Sequence, residues 1–285
     1  MFSIIPTTEK IQTMKNYLHT KAKLKEMGVE NCAFEAKLIL EYAKNNAELI
    51  ENILNRRAKK EPLQYIFGSW EFYGDEYILN ADCLIPRPET EFLVEYIINN
   101  APRNAKVLDL CCGSGCIAIS ALKRRRDLTA AAVDISPGAV ETAKANSKIN
   151  GVSDNISFFC FDILNDCDCG KINKLIGDVD LIVSNPPYLT QSETEQIKID
   201  KAELSYEPEA AFLGGKDGLD FYRFIIENYS RNCNPNTITA FEVGINQYKS
   251  VVSMFEKINF SCDVILDYQK IERVVIGTPC IGDIN

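Results

Sequence analysis

From residue 106 onwards, short apolar segments that favour strands alternate with segments that favour helices. Alternation of this kind predicts a doubly wound, mainly parallel sheet of α/β class, with helices packed on its faces. The last two strands follow each other without a helix and predict a terminal antiparallel hairpin, which an ordinary dehydrogenase half lacks. We expect strands over 106–110, 129–134, 156–161, 179–184, 237–243, 264–266 and 271–276, with helices ending near 123 and over 137–150, 218–232 and 247–257.

The residues before this alternation divide into a helical part and a β-prone part. Apolar residues at helical spacing predict a small helical bundle over 1–62. Aromatic, β-prone residues with glycines at turns predict a β-hairpin linker over 63–86, which leads into a second domain over 87–285. The bundle either caps the fold or docks a partner, a choice that its sequence leaves open. Our working prediction is that it docks the substrate.

Composition excludes several classes of protein. The chain has 285 residues, of which 46% are hydrophobic, and a net charge of −9. This balance excludes wholesale disorder and argues against a broad basic face for nucleic acid. The only dense basic run, residues 123–126, falls at a predicted helix end, where we expect it to be solvated. The start lacks the basic and apolar regions of a secretory leader, and no apolar run is long enough for a membrane span. We therefore expect a cytoplasmic protein.

The sequence offers little for histidine or metal chemistry. His19 is the only histidine, which excludes most histidine-based triads. The eleven cysteines include no Cys-x-x-Cys pair, and Cys167 with Cys169 alone makes a poor metal site. We expect reduced, buried thiols and no metal.

A glycine loop, residues 111–115, follows the first predicted strand. Gly113-x-Gly115-x-x-Ala118 is a passable dinucleotide fingerprint, and Asp134 lies 21 residues beyond Gly113, where it is placed to hold a ribose. A nucleoside-containing cofactor is therefore predicted. Asp109 in front of the loop suits a cationic amino-acid group better than a pyrophosphate, which favours S-adenosylmethionine over NAD. Asp162, just after the third strand, is placed to meet the adenine amino group.

The Asn-Pro-Pro-Tyr turn, residues 185–188, follows the fourth predicted strand. Its two prolines end the ladder in a rigid turn, which can present the Asn185 side chain and the Pro186 carbonyl together. These two oxygens match the two N–H donors of a planar NH2 group, on which Tyr188 can stack. Such a site positions an amino nitrogen for methyl transfer without a histidine base.

These motifs resemble those of amino-group S-adenosylmethionine methyltransferases, and more closely the HemK/PrmC family, the protein-glutamine N5-methyltransferases that act on peptide chain release factors. The resemblance extends over almost the whole chain. Its most specific segment is Leu-Ile-Pro-Arg-Pro-Glu-Thr-Glu at 84–91, whereas the Asn-Pro-Pro-Tyr turn is shared with adenine methyltransferases of DNA. The other matching motifs are Gln64-Tyr-Ile-Phe-Gly68, Trp70-Glu71-Phe72, Tyr206-Glu-Pro208, Gly215-Lys-Asp-Gly-Leu219, Glu242-x-Gly244-x-x-Gln247 and Glu272-Arg273.

The resemblance implies a class I S-adenosylmethionine-dependent methyltransferase fold, Rossmann-like, with a seven-stranded mostly parallel sheet and a small N-terminal helical bundle. It also implies a role for each matching residue. The methionine end of the cofactor would lie on Cys111, Cys112, Gly113, Ser114 and Gly115, the ribose on Asp134, and the adenine between Asp162 and Ile163; Asp109 and Asn185 would also bind the cofactor. The catalytic residues, which would also bind the substrate glutamine, would be Asn185, Pro186, Pro187 and Tyr188, with Arg87 and Glu89 as further substrate-binding residues beside the site. This chain departs from the family at Cys111, where glycine is usual, and at Ile163, which is often aromatic.

The implied reaction is methyl transfer to the glutamine of the Gly-Gly-Gln loop of class I release factors, which leaves S-adenosylhomocysteine and supports translation termination. We expect a monomer without direct nucleic-acid contact. Three alternatives stay open. An enzyme that methylates exocyclic amines of DNA or RNA would share the turn; an NAD-linked oxidoreductase would explain only the glycine loop; and a non-catalytic module would use the bundle as its working surface.

Overall fold

The structure, a computed structural model, describes residues 8–280. Its chain divides into two compact units, one up to residue 68 and one from residue 69 onwards. Residues 1–7, for which we expect no secretory leader, and residues 281–285 lie outside the described part.

The first unit is helical, as its apolar spacing predicts. Its helices are α1 (Thr8–Glu26), α2 (Cys32–Ala43), α3 (Ala47–Arg57) and α4 (Leu63–Phe67). The core of the unit is aliphatic and includes Leu24, Ile39, Ile50, Ile53 and Leu54. The apolar row that suggested the bundle lies mostly outside this core: Ile11, Met14, Leu18, Phe34 and Tyr42 are all more than 40% exposed.

The expected hairpin over 63–86 is shorter in the structure and begins later. Residues 64–67, which we expect to be a strand, lie in α4, because Pro62 precedes its first turn and Gly68, with a φ of +74°, ends it. The hairpin consists of β1 (Ser69–Phe72) and β2 (Asp75–Ile78). Tyr73 and Gly74 both have positive φ, as a tight two-residue turn requires. It belongs to the second unit.

The second unit contains the predicted sheet. Its strands lie in the order β5-β4-β3-β6-β7-β9-β8, parallel except for β9. The strands are β3 (Lys106–Leu110), β4 (Thr129–Asp134), β5 (Ile156–Cys160), β6 (Leu181–Ser184), β7 (Ile238–Glu242), β8 (Phe260–Leu266) and β9 (Glu272–Pro279). This confirms the fold class. The boundaries differ from the expected ones by a few residues, mostly at β8 and β9.

Helices cover both faces of this sheet. They are α5 (Glu91–Asn100), α6 (Cys116–Arg124), α7 (Pro137–Ile149), α8 (Asp166–Ile176), α9 (Gln191–Asp200), α10 (Asp220–Asn228) and α11 (Tyr248–Lys257). Val107 packs towards α5, α6 and α7, whereas its neighbour Leu108 packs towards α8, α10 and α11, since successive strand residues point to opposite faces. We did not predict α8 and α9. α9 is almost entirely polar and begins at a capping box formed by Thr190 and Glu193.

The basic run at 123–126 is not simply a solvated helix end, and this expectation is wrong for three of its residues. Arg125 pairs with Asp127 and donates to backbone carbonyls at the end of α5. Lys123 and Arg124 both form ion pairs with Asp75, whose side chain is buried. Arg124 also donates to the carbonyl of Tyr73 and lies over its ring. The run therefore fastens the hairpin to α6. The expectation failed because Asp75 lies far away in sequence.

The remaining polar residues singled out by the sequence have ordinary surroundings. His19 Nε2 lies 2.6 Å from Glu51 Oε1, with both side chains about half exposed. All eleven cysteines are free, but only Cys83, Cys112 and Cys116 are buried, so the expectation of buried thiols is wrong for the other eight. Across residues 8–280 no group of acidic, histidine or cysteine side chains is arranged to hold a metal ion. No helix in that part of the chain combines the length and apolar character needed to cross a membrane.

Asn146 of α7 joins three separate segments of the second unit. Its Oδ1 accepts from the Ile78 N–H at 2.7 Å, and its Nδ2 donates to the carbonyls of Ile78 and Ser114. The side chain is fully buried. It therefore connects the hairpin, α7 and the glycine loop, and it satisfies backbone groups that water does not reach.

We expect Asn146→Leu to destabilise the second unit by about 3 kcal/mol, because a side chain of similar size would leave three backbone groups without partners. Trp70, the only tryptophan, lies in β1, so urea unfolding followed by its fluorescence is a direct measurement. Asn100→Leu is the matched control, since Asn100 is exposed and bonds only within α5; it should change stability by less than about 0.5 kcal/mol. Equal effects of the two variants would contradict the prediction.

Candidate active site

Four parallel strands bring four loops to one edge of the sheet. β3 lies between β4 and β6, and β5 lies beyond β4. The chain runs outwards from β3 to β5 and then crosses back to β6, so the order reverses next to β3, where open α/β sheets bind their ligands. The loops after these four strands line a cavity of about 290 Å³, close to the lower limit of roughly 300 Å³ for small-molecule sites.

The glycine loop has the backbone that its sequence suggests. Gly113 has a φ of +52°, and a Cβ at this position would meet no atom within 4 Å, so the backbone faces open space. Gly115 also has a positive φ, of +78°, and a Cβ there would in addition lie 3.1 Å from Ala143 Cβ. Cys111 also has a positive φ, of +61°. This left-handed conformation costs a non-glycine residue about 1 kcal/mol, which explains why glycine is usual there.

Asp109 lies beneath the loop and not in the wall of the cavity. Its side chain is completely buried, and its Oδ2 accepts from the Ala118 N–H at 3.3 Å, in the first turn of α6. Among residues 8–280, neither its Oδ1 nor the buried Oγ of Ser114 has a hydrogen-bond partner. Burial raises the pKa of Asp109 to about 7. We expected this carboxylate to meet a cationic group directly; the structure gives it a contact with the backbone that shapes the loop.

Asp134 lies in the wall of the cavity at the end of β4. Its Oδ2 accepts from the Gly113 N–H at 2.8 Å, and its Oδ1 accepts from the Ser136 N–H at 2.9 Å. Burial raises its pKa, and these backbone donors oppose the rise. Each oxygen keeps a second lone pair, so Asp134 can still accept hydrogen bonds from a diol.

The loop after β5 supplies an apolar and a polar side to the same cavity. Phe161, Asp162 and Ile163 all line it. The Oδ1 of Asp162 accepts from the Leu164 N–H at 2.9 Å, which holds the side chain against its own loop. Phe161 is stacked on Phe159, with 5.7 Å between ring centroids. The aromatic ring that Ile163 does not provide is therefore present two residues earlier, at Phe161.

The Asn-Pro-Pro-Tyr turn lies between this cavity and a second one of about 620 Å³. Asn185 lines both cavities, Pro187 lines the first and Tyr188 the second. Pro186 is buried and lines neither. The Nδ2 of Asn185 donates to Thr90 Oγ1 at 3.2 Å. Within residues 8–280 no donor reaches the Oδ1 of Asn185 or the carbonyl of Pro186.

Three glycines pack directly against this turn. A Cβ on Gly214 would lie 2.6 Å from the Pro187 carbonyl oxygen, one on Gly218 would lie 2.4 Å from that of Tyr188, and one on Gly244 would lie 2.9 Å from the Tyr188 ring. Gln247 Nε2 also donates to the Tyr188 carbonyl at 2.8 Å. The motifs around 215–219 and 242–247 therefore hold the turn in place.

Arg87 lies in the walls of both cavities. It forms an ion pair with Glu207, whose other oxygen accepts from the Ile85 N–H at 3.0 Å. Glu207 is almost completely buried, so this pair fixes the 85–87 segment against the loop at 206–208. Glu89 lines neither cavity.

Most of the predicted site residues lie together. The first cavity is lined by Arg87, Cys111, Cys112, Gly113, Ser114, Asp134, Asp162, Ile163, Asn185 and Pro187. The predicted residues outside its walls are Glu89, Asp109, Gly115, Pro186 and Tyr188. Thr90 and Phe161 line it and were missed. Phe161 had a signal, as an aromatic residue next to Asp162, and Thr90 lies in the 84–91 segment that the resemblance had singled out.

Comparisons with known proteins agree with this geometry. The model of the family described as methyltransferase small domain matches residues 88–203, a range that contains the glycine loop and the Asn-Pro-Pro-Tyr turn. Among solved structures, a methyltransferase from Pyrococcus furiosus superposes with a TM-score of 0.54 and 18% identity, over 80% of this chain and 99% of that chain. At this identity the likeness supports the fold alone.

Curated relatives extend the match over the chain. The release factor glutamine methyltransferase of Geobacter sulfurreducens is 37% identical, over 95% of this chain and 99% of that protein. The enzyme of the same name from Flavobacterium psychrophilum is 40% identical, over 76% of this chain and 75% of that protein. Given this identity and coverage, the chain belongs to the family of release factor glutamine methyltransferases.

Proposed function

We propose that this protein transfers a methyl group from S-adenosylmethionine to the side-chain amide nitrogen (N5) of the glutamine in the Gly-Gly-Gln motif of class I peptide chain release factors, and so supports translation termination. Membership of the family supports the reaction and the substrate protein. The observation that carries the proposal is the position of Asn185, where the two cavities meet. A methyl donor in one cavity and an amide from the other can meet beside this residue.

The first cavity fits S-adenosylmethionine. The open space over Gly113 leaves room for a ligand against the backbone, and Asp134 keeps lone pairs for a ribose. The unpartnered Oγ of Ser114 adds an unused polar atom next to the loop. We propose that Cys111, Cys112, Gly113, Ser114 and Gly115 hold the methionine end, Asp134 the ribose, and Asp162 and Ile163 the adenine, with Phe161 added to this set. Asp109 would act through the loop that it supports.

The second cavity would take the glutamine and the chain around it. We propose that Asn185 Oδ1 and the Pro186 carbonyl accept the two N–H bonds of the amide, since both oxygens lack donors in the described part of the chain. Pro187 would fix the turn, and Tyr188, in the wall of the second cavity, would contact the amide plane. Arg87, which lines both cavities, would lie between the two ligands. Glu89 lines neither cavity and would contribute only by shaping the 84–91 segment.

The chemistry then requires no side chain that takes a proton. S-adenosylmethionine supplies, when bound, a methyl group on a sulfonium and leaves as S-adenosylhomocysteine. Two acceptors on the amide hydrogens raise the electron density on a nitrogen whose lone pair is otherwise delocalised. As the new N–C bond forms and the S–C bond breaks, the nitrogen becomes strongly acidic and its proton leaves to water. Positioning supplies most of the rate.

We further propose that the protein works as a cytoplasmic monomer without direct nucleic-acid contact. The net charge of −9 opposes contact with a phosphate backbone.

The helical unit is proposed to dock the release factor. Its support is the exposed apolar row of α1 and α2, in which Met14, Leu18 and Phe34 are 57%, 57% and 59% exposed. Large apolar side chains exposed in a row are typical of a surface that binds another protein.

Tandem mass spectrometry of an unmethylated release factor, incubated with this protein and S-adenosylmethionine, should show one added methyl group on the glutamine of the Gly-Gly-Gln motif. Asn185→Ala should lower kcat about a hundredfold, as loss of one group that stabilises the transition state commonly does. Calorimetry should show cofactor binding largely kept, because the proposed anchors of the cofactor lie elsewhere. A loss of binding as large as the loss of rate would refute this division.

Gly214→Ala should lower both kcat and stability, since its Cβ would lie 2.6 Å from the Pro187 carbonyl oxygen and the turn would have to move. We expect about a tenfold fall in kcat and about 1–3 kcal/mol of destabilisation. Gly170→Ala makes the same chemical change in α8, where a Cβ meets nothing within 4 Å, and should stabilise the helix by up to about 1 kcal/mol. An active, stable Gly214→Ala enzyme would mean that the turn does not need this contact.

Leu18→Glu combined with Phe34→Glu should raise KM for a whole release factor about tenfold, equivalent to about 1.4 kcal/mol of binding. KM for a short peptide that contains Gly-Gly-Gln should not change, because such a peptide lacks the rest of the release factor, which the helical unit would bind. Ile149→Glu, at a 54% exposed position in α7, is the control and should affect neither substrate. Equal changes for both substrates would assign the helical unit a role in stability instead of docking.

A further inference from the structure

Thr90 occupies an unusual place for a residue at the start of a helix. It immediately precedes α5, but its side chain makes no cap hydrogen bond to that helix. Instead its hydroxyl donates to Glu242 Oε2 at 2.7 Å and accepts from Asn185 Nδ2 at 3.2 Å. Thr90 and Glu242 are each 2% exposed. The three residues come from distant parts of the sequence and form one continuous chain of hydrogen bonds.

The direction of this chain follows from counting protons. A carboxylate can only accept, so the single proton of the Thr90 hydroxyl is committed to Glu242. The hydroxyl can then only accept from Asn185, which must turn its NH2 towards Thr90. The alternative orientation of the amide, with oxygen and nitrogen exchanged, has the same shape but would set Oδ1 against the lone pairs of the hydroxyl. The hydrogen-bond chain therefore selects between two orientations that packing alone does not distinguish.

Glu242 has no ion pair that would explain its burial. Arg273, the nearest cation in its own sheet, pairs with Asp267, and Arg87 pairs with Glu207. Within the described residues, Thr90 supplies the only hydrogen bond to this carboxylate. A nearly buried carboxylate with so few partners is costly, and an apolar or neutral residue would pack at lower cost. Its presence at the end of β7 calls for a role besides stability.

We propose that Glu242 and Thr90 are positioning residues that orient the Asn185 amide, so that Nδ2 is held by Thr90 and Oδ1 is left to accept from the NH2 group of the substrate glutamine. The inference rests on the proposed function and deepens it, because it states which residues make Asn185 an acceptor. With the opposite orientation, the NH2 group of Asn185 would face the NH2 group of the substrate glutamine, and both groups are hydrogen-bond donors.

The proposal also gives a pH dependence. Burial raises the pKa of Glu242 to about 7, while the Thr90 hydroxyl, Arg273 and Arg87 favour the anion and Glu89 opposes it. Tyr188 also faces this carboxylate, and burial raises its pKa, so it stays neutral. Above pH 7 the Glu242 carboxylate accepts the Thr90 proton, so the hydrogen-bond chain keeps the direction that leaves Asn185 Oδ1 to accept from the substrate. Below pH 7 a protonated Glu242 can donate to Thr90, whose own proton can then turn to Asn185. Activity should therefore fall as the pH drops through 7.

Thr90→Val removes the hydroxyl at nearly constant shape, and Thr90→Ser keeps it. We expect Thr90→Val to lower kcat ten- to a hundredfold, with KM for the release factor and cofactor affinity within about twofold of wild type, and Thr90→Ser to restore most of the rate. Cofactor affinity is measured because Thr90 also lines the first cavity. In the Asn185→Ala background Thr90→Val should cause no further loss, since both changes remove the same interaction. Wild-type kcat in Thr90→Val, or additive losses in the double variant, would overturn the proposal.

Glu242→Gln tests the pH dependence. The fall in wild-type kcat around pH 7 should be absent in this variant, because the glutamine side chain does not titrate. Because the pKa of Asp109 is also raised to about 7, a fall that persists in Glu242→Gln would assign it to another group and overturn the role of Glu242.

A measurement independent of activity separates this inference from the proposed function. The side-chain NH2 signal of Asn185, assigned by its absence in Asn185→Ala, should be protected from hydrogen exchange in the wild type and in Thr90→Ser but not in Thr90→Val. Protection in the wild type without methylation of a release factor would refute the proposed function alone. Equal exchange in the wild type and Thr90→Val would refute the positioning role alone.

Discussion

Parallel pairing of β3 with both β4 and β6 is the constraint on which the rest of the second unit depends. Parallel neighbours need crossover helices, and the crossovers return every chain segment to the same end of the sheet. The glycine loop, Asp134, the 161–164 loop and the Asn-Pro-Pro-Tyr turn consequently share one edge. The segment between the hairpin and α5, residues 82–90, also lines the cavity at this edge. The position of the candidate site therefore follows from topology, whereas its chemistry depends on a few side chains.

Two buried carboxylates illustrate how these side chains are used. Asp109 and Glu242 lie at the ends of β3 and β7, both are almost inaccessible to water, and neither belongs to an ion pair in the described part of the chain. Asp109 bonds to the first turn of α6, and Glu242 bonds to Thr90. In each case a buried carboxylate, which is costly for stability, bonds to a residue of the surrounding structure and does not itself line the first cavity. Stability is reduced at these places in exchange for a defined geometry.

The sequence predicts the sheet well because its signals are local. Strand β4 and the start of α7 agree with expectation to the residue, since Pro137 and the flanking polar residues mark them. The strand predicted for residues 64–67 was wrong, because their aromatic composition favours a strand whereas Pro62 and Gly68 delimit a helical turn. The link from Thr90 to Glu242 joins residues 152 positions apart, and the contacts of Gly214 and Gly218 with the turn are equally non-local. No pattern in one sequence reveals such contacts, although the resemblance had drawn attention to most of the segments that make them.

The two cavities have separate walls and share only Leu84, Arg87, Asn185 and Ala211. Neither ligand therefore has to cross the space of the other in order to bind. With the cofactor in the first cavity and the glutamine in the second, as proposed, a ternary complex can assemble by either order of addition, and steady-state kinetics of the sequential type are expected. The spent cofactor and the modified protein can likewise depart independently. An enzyme built in this way can exchange its small ligand while a large protein substrate stays bound.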